Sequence, residues 1–313
     1  MPRTAFTEVT GCSVPLQQAP MGPISPPELA VAVANAGGVG TIAAMGLSPD
    51  QIVALSERMR ASTGGVLAAN FLTDDIDPDA VDAAAARFRI VDFFWRDPDR
   101  ALIRRVHAGG ALALWQVGSV AEARAAVSAG ADILAAQGTE AGGHVRGHTA
   151  LLPLLSAVCD EVTVPVLAAG GIATARAVRA VLAAGAAGVR VGTRFIASTE
   201  SGAHPGYVAA LLAAGEDSTE ITAGFAKCPL CVSVPRARVL RSAIDAVGEL
   251  AFENAGRFRQ GTEMVPLPAH AGLPPYRDVE GRIDAMALYA GESAGAVREV
   301  RDAADIVAEL MGG

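Results

Sequence analysis

From residue 14 onward, short apolar runs alternate with longer stretches whose apolar positions recur every three or four residues. The runs at 14–20, 39–44, 65–71, 90–95, 111–117, 133–136, 164–169 and 187–192 have the length of strands and the flanking glycines or prolines of strand ends. They lack the strict alternation of a sheet with one wet face, which points to parallel strands covered on both sides. Helical patterns lie between them. P-P-E-L-A-V-A-V-A-N-A stops at Gly37-Gly38, and Ser48-Pro49 opens a helix with Ile52 and Leu55 at its periodic positions. Further helices are expected over 78–87, 98–108 and 120–129. Eight strand–helix units with short connections predict an α/β fold, a (β/α)8 TIM barrel. An open doubly wound sheet is the alternative, but no G-x-G-x-x-G follows an early strand.

Past residue 202 the rhythm changes. A helix is expected over 205–214, and prolines are scattered through 217–280, with a possible helix at 237–254. The stretches 286–300 and 302–311 read as helices. The expected organisation is a barrel over 1–216, a covering segment over 217–285, and C-terminal helices over 286–313 that pack on the barrel.

Composition narrows the function classes. The chain of 313 residues is 51% apolar and 4% aromatic with 34 glycines, which suits close helix–sheet packing and excludes disorder. Thirty-three acidic against 25 basic residues, with no basic block, speak against nucleic acid. No apolar run reads as a membrane span, and the first ten residues lack the pattern of a signal peptide, so a cytoplasmic protein is the default expectation. Four cysteines (12, 159, 228 and 231) are too few for a disulfide framework. Cys228-Pro-Leu-Cys231 has redox spacing without its βαβ setting, so these two read as structural or incidental.

Candidate chemistry gathers where the last three strands end. Residues 131–148, A-D-I-L-A-A-Q-G-T-E-A-G-G-H-V-R-G-H, run from a strand into a loop carrying Gly142, Gly143, His144 and His148. The next two strands end in Gly170-Gly171 and Gly192-Thr193. Three successive strands that deliver glycines at their C-terminal ends imply one ligand at one rim, and loops seven and eight of a barrel commonly bind phosphate. Thr193 adds a hydroxyl and Arg194 a charge, while Arg190 needs a partner if buried. His144 is the candidate acid–base group, because imidazole titrates near neutrality. His148 is secondary, as a possible helix cap. No third ligand joins the two histidines, so no metal is expected. Asn70, Gln116 and Gln137 are amides at the ends of apolar strands, suited to the polar edge of a flat ring or to structural bonds. Ala19-Pro20-Met21 could form a backbone wall against such a ring, and Phe94 and Trp95 could wall a pocket.

Together Q-A-P-M, N-A-G-G-V-G, A-N-F, Q-G-T-E-A-G-G-H, V-P-V-L-A-A-G-G-I-A, V-G-T-R-F and A-H-P-G-Y, from Gln18 to about Tyr207, resemble the nitronate monooxygenases. A-L-Y-A-G-E-S-A-G at 287–295 extends the resemblance. FMN-dependent enoyl-acyl carrier protein reductases and some NADH:quinone reductases share much of the pattern. The resemblance implies an FMN-dependent barrel in which Asn70, Gln137, Gly142, Gly170 or Gly171, and residues 190–193 contact the cofactor, with His144 as base. It implies oxidation of alkyl nitronates or nitroalkanes by O2 to a carbonyl compound and nitrite. The alternatives are an NAD(P)H-dependent reductase of an enoyl thioester or quinone, and a non-redox phosphate-binding barrel. Expected partners are a small-molecule substrate and O2, with a homodimer as the candidate assembly and neither nucleic acid nor membrane. Two positions depart from the family: Val145-Arg146 separate His144 from the next glycine, and Arg190 stands where a neutral residue is common. That arginine could bring a positive charge near the isoalloxazine or its phosphate.

Overall fold

The structure, a computed structural model, describes residues 3–72, 76–227 and 235–313. Eight parallel strands pair in chain order: β1 (Leu16–Gln18), β2 (Val39–Ala43), β3 (Val66–Leu72), β4 (Ile90–Phe94), β5 (Leu112–Val117), β6 (Ile133–Gln137), β7 (Val166–Ala169) and β8 (Gly188–Val191). β8 closes on β1 with Arg190 opposite Gln17, so the TIM barrel is complete. Each expected strand is present within a few residues of its predicted bounds.

The outer layer is α2 (Pro27–Asn35), α3 (Pro49–Arg60), α4 (Pro78–Ala85), α5 (Arg100–Ala108), α6 (Val120–Ala129), α7 (Leu151–Glu161) and α8 (Ala175–Ala183). Local chemistry starts them where the sequence implies. Ser48 and Gln51 form a reciprocal capping box with Pro49 in the first turn, and the Asp99 carboxylate accepts the first N–H groups of α5. α2 seats directly on β2 at Gly40, where an added Cβ would lie 1.8 Å from the Ala30 carbonyl oxygen.

Strand parity divides the core in two. Ile42, Phe93, Trp115, Leu134 and Val189 face outward against Val33, Val81, Ile103 and Leu155 of the helices. Inside, Val39, Ala68, Ile90, Leu114, Ile133, Ala135 and Leu167 fill the lower barrel. Phe6 of α1 (Ala5–Thr10), a helix not foreseen from sequence, completes that inner cluster. Each fully buried large apolar side chain contributes about 1.5–3 kcal/mol. These side chains fill the lower barrel, so its interior has room for a ligand only toward the other end.

Beyond β8 come α9 (Thr193–Ile196) and α10 (Pro205–Leu212), then a cap. Its strands β9 (Thr219–Thr222) and β10 (Ala237–Leu240) are antiparallel, and β10 also pairs with the two-residue strand Gly143–His144. A hairpin of β11 (Asn254–Gln260) and β12 (Glu263–Pro268) is extended by β13 (Glu280–Gly281). Two expected helices are corrected here. The 237–254 stretch is β10 followed by α11 (Arg241–Gly248) and the start of β11, because Val239 and Leu240 take antiparallel partners. Residues 286–300 form no α-helix. Ala287, Leu288 and Ala290 are buried on all sides beside β10, where Leu240 N–H donates to the Leu288 carbonyl at 2.8 Å. Of the predicted C-terminal helices only α12 (Ala303–Met311) forms, and it packs on α2 and α8. Cys228 and Cys231 lie outside the described residues.

Candidate active site

A strand exposes alternate residues to one side, so the inward series of the lower barrel continues upward two residues at a time. Ala68 leads to Asn70, Ile90 to Asp92, Leu114 to Gln116, Ala135 to Gln137, and Gly188 to Arg190. The apolar plug thus gives way to a polar floor near the C-terminal ends of the strands. Above that floor opens a cavity of about 290 Å³. Most candidates named from sequence border it: Ala19, Pro20 and Met21 after β1; Asn70, Gln116, Gln137 and Arg190 on the floor; Gly142, Gly143 and His144 from the loop after β6; and Gly170, Gly171, Gly192 and Thr193 at the rim. Trp95 does not line it, and neither does Arg194, whose Nη2 pairs instead with Glu309 of α12 at 3.1 Å. The remaining wall includes Phe94, Ile172, Ile196 and Tyr207, and the cap adds Leu273, Pro274 and Tyr289.

The rim glycines differ in kind. Gly170 and Gly171 have φ of +114° and +69°, a backbone that a side chain would strain. Gly192 has ordinary negative φ, and an added Cβ would meet Ala19 and Met21 only at van der Waals distance, 3.4 Å and 3.6 Å. Thr193 Oγ1 accepts the Gly291 N–H at 3.0 Å, which leaves its own proton to donate.

The loop after β6 is held from several sides. Gln137 Nε2 donates to the His144 carbonyl at 2.8 Å, and the Arg146 N–H donates back to Gln137 Oε1 at 3.4 Å. The Gln137 amide is thus engaged with the loop. Val145 is buried and donates to the Arg236 carbonyl, while Arg146 pairs with Glu122 at 2.5 Å and Asp97 at 2.6 Å. The two residues that depart from the family pattern therefore anchor the loop. Gly142 lies so close to the chain at 290–291 that a Cβ would fall 2.5 Å from Gly291 N. Both Glu140 carboxylate oxygens accept the Leu151 N–H at the start of α7. His148 does not cap that helix. It is exposed, its Nε2 3.1 Å from Arg236 Nη1, outside the cavity.

His144 is flanked by two aromatic rings, Tyr289 at 5.6 Å and Trp95 at 6.0 Å between centroids. Trp95 adopts φ of +69°, an uncommon backbone for a bulky residue and a form of strain that gathers at functional sites. Tyr289 Oη donates to the Gly272 carbonyl at 2.8 Å, and Tyr207 Oη donates to the Tyr289 carbonyl. Burial pushes both phenols upward, so they remain protonated donors at neutral pH.

Arg190 does not stand as an isolated positive charge. Its guanidinium donates to Asp92 Oδ2, Gln116 Oε1 and, at 3.2 Å, Gln17 Oε1. Asp92 is fully buried. Burial raises its carboxyl above the ordinary range, and Arg190 opposes that rise. Asp92, Gln17 and Tyr289 are not among the residues that the sequence singles out as candidates. The available signal was a carboxylate at an inward position of I-V-D-F-F-W, two residues above Ile90.

Residues 3–89 and 79–313 match the family described as nitronate monooxygenase. A (3aS,4S,5R,7aS)-5-hydroxy-7a-methyl-1-oxo-octahydro-1H-indene-4-carboxyl-CoA dehydrogenase of Mycobacterium tuberculosis is 30% identical, over 99% of this chain and 95% of its own. A nitronate monooxygenase of Pseudomonas aeruginosa is 29% identical, over 98% of this chain and 97% of its own. Among solved structures, FabK from Thermotoga maritima superposes with a TM-score of 0.82 at 28% identity, covering 99% of this chain and 95% of that one.

Proposed function

The chain belongs to the nitronate monooxygenase family, and from that premise we propose that it is an FMN-dependent enzyme oxidising alkyl nitronates, or nitroalkanes, with O2 to a carbonyl compound and nitrite. The cavity's chemistry fits FMN. Its rim offers the Gly170-Gly171 turn and the Gly192-Thr193 pair for a phosphate, its floor offers amides to a polar ring edge, and Ala19, Pro20 and Met21 offer a flat apolar wall. Bound FMN would supply the electron transfer.

The protein's own part is to bind, orient and move one proton. His144 takes the α-proton of a nitroalkane, or orients a substrate that is already a nitronate. Gln137 holds the backbone of His144, so the imidazole enters the cavity from a fixed position. Phe94, Ile172, Ile196 and Leu273 keep water from the reacting carbon. The observation that carries this reading is the imidazole at the wall of a mostly apolar cavity, bracketed by Trp95 and Tyr289.

The similarity to FabK and to a CoA-thioester dehydrogenase favours a second reading, an NAD(P)H-dependent reductase of an enoyl thioester or quinone. A pair of anaerobic titrations separates the two. The purified protein, reconstituted with FMN, is titrated anaerobically with ethyl nitronate and, in a second sample, with NADH. Bleaching by ethyl nitronate, with nitrite formed once air is admitted, is the expected result. Bleaching by NADH alone transfers the assignment to the reductase, and a protein that never takes up flavin removes both.

A further inference from the structure

Beneath the cavity lies a buried ion pair for which proton transfer at His144 has no use. Arg190 is 3% exposed and Asp92 is 0% exposed, and they come from opposite sides of the barrel, on β8 and β4. Arg190 borders the cavity together with Asn70 and Gln116, whereas Asp92 stands behind them and does not. Arginine has donors only, so each amide that meets it must do so through oxygen. Gln116 therefore turns its NH2 away from Arg190, and Gln17 gives its NH2 to Thr41 Oγ1 at 3.1 Å. Asn70 Nδ2 donates to the Asp92 carbonyl at 3.3 Å, which leaves the Asn70 oxygen for another partner. Arg190 thereby determines which end of Gln116 meets a ligand, while Asn70 is oriented by the main chain at residue 92 and Gln137 by the loop after β6.

We propose that Asp92 is a positioning residue that sets the electrostatics of the ring site by neutralising Arg190 and fixing the guanidinium that in turn orients Gln116. The inference rests on the flavin reading above. A cation bordering the ring's site would favour the electron-rich, reduced form of the flavin, and a carboxylate behind that cation would oppose the preference. Both charges are shielded from water, so the opposition is strong. Removing the carboxylate charge while keeping its shape should expose the ring to the whole guanidinium charge.

The test compares the flavin midpoint potential and the dissociation constant for sulfite, which adds to electron-poor flavins, in three proteins reconstituted with FMN. These are the wild type, Asp92→Asn, and the double variant Asp92→Asn/Arg190→Gln. Asp92→Asn should raise the potential and tighten sulfite binding by about tenfold or more. The double variant should fall below the wild type, because of the two charges the one that borders the cavity, Arg190, is the cation. It leaves no uncompensated buried charge, so it decides the matter even if Asp92→Asn alone fails to fold. A wild type and Asp92→Asn with equal potentials, or a double variant at or above the wild type, overturns the proposal while leaving the flavin reading intact. A wild type that binds no flavin overturns both.

Discussion

His144 owes its place to short-range devices: Gly143 just before it with φ of +75°, Gln137 holding its carbonyl, and aromatic rings on either side. Such a side chain loses little entropy when substrate arrives, and its reach is restricted to what fits between Trp95 and Tyr289. If it acts as a base, the loss on mutation depends on whether the substrate still carries its α-proton. His144→Ala should retain flavin and lose about 10²- to 10⁴-fold in kcat/KM on neutral nitroethane, with a much smaller loss on preformed ethyl nitronate. Steady-state oxygen consumption with the two substrates checks this. Equal losses on both would assign His144 to binding. His144 could be read from sequence because the glycines around it mark a loop at a strand end. Asp92 was harder to see, because its partner lies 98 residues away and only barrel closure brings the two together.

At the scale of elements, the segment 289–292 acts as a strap between cap and barrel. Tyr289 Oη reaches the Gly272 carbonyl, the Ala290 N–H reaches the Arg238 carbonyl, Gly291 N–H reaches Thr193, and Glu292 N–H reaches the Glu140 carbonyl. Arg238 adds an ion pair to Glu292 at 2.9 Å. The strap fits only because Gly142 has no side chain where the two backbones meet. Gly142→Ala should therefore displace both chains, costing about 1–3 kcal/mol and weakening FMN retention severalfold. Gly64→Ala, where an added Cβ meets nothing within 4 Å, should change neither. Thermal midpoints and flavin release on dilution measure the two effects, and a Gly142→Ala protein as stable and as yellow as the Gly64 control would sink the strap's role. Intrinsic propensity misreads this segment. A-M-A-L-Y-A is rich in helix formers, yet burial on every side holds it away from the helix that local preference favours. The 254–260 strand misleads in the opposite sense, since N-A-G-R-F-R-Q carries a glycine and exposed arginines and becomes a strand only through its hairpin partner.

The molecule as a whole separates stability from function along the barrel axis, which is why its two halves were unequally legible. The lower half and the helical shell follow from local signals: apolar runs of strand length, caps such as Ser48, and glycines where the chain turns or backbones meet. The upper half depends on contacts between distant segments, and there the sequence points to most of the rim and floor residues but not to Asp92, Tyr289 or the pairing that arranges them. This division predicts how the protein responds to loss of its proposed cofactor. A ligand held at one hundred times its dissociation constant stabilises the folded state by about 2.7 kcal/mol. Its direct contacts would be confined to the loops after β1, β6, β7 and β8, to the floor and to the strap. The apolar layer of Val39, Ala68, Ile90 and Leu114 would touch none of it. Stripping FMN should lower the thermal midpoint, and hydrogen exchange should speed up at residues 139–147, 170–173 and 289–293 while the lower strands and α1 keep their protection. Exchange that rises equally at both ends would mean that the cofactor supports the barrel itself. Exchange unchanged at the mouth would mean that it binds elsewhere.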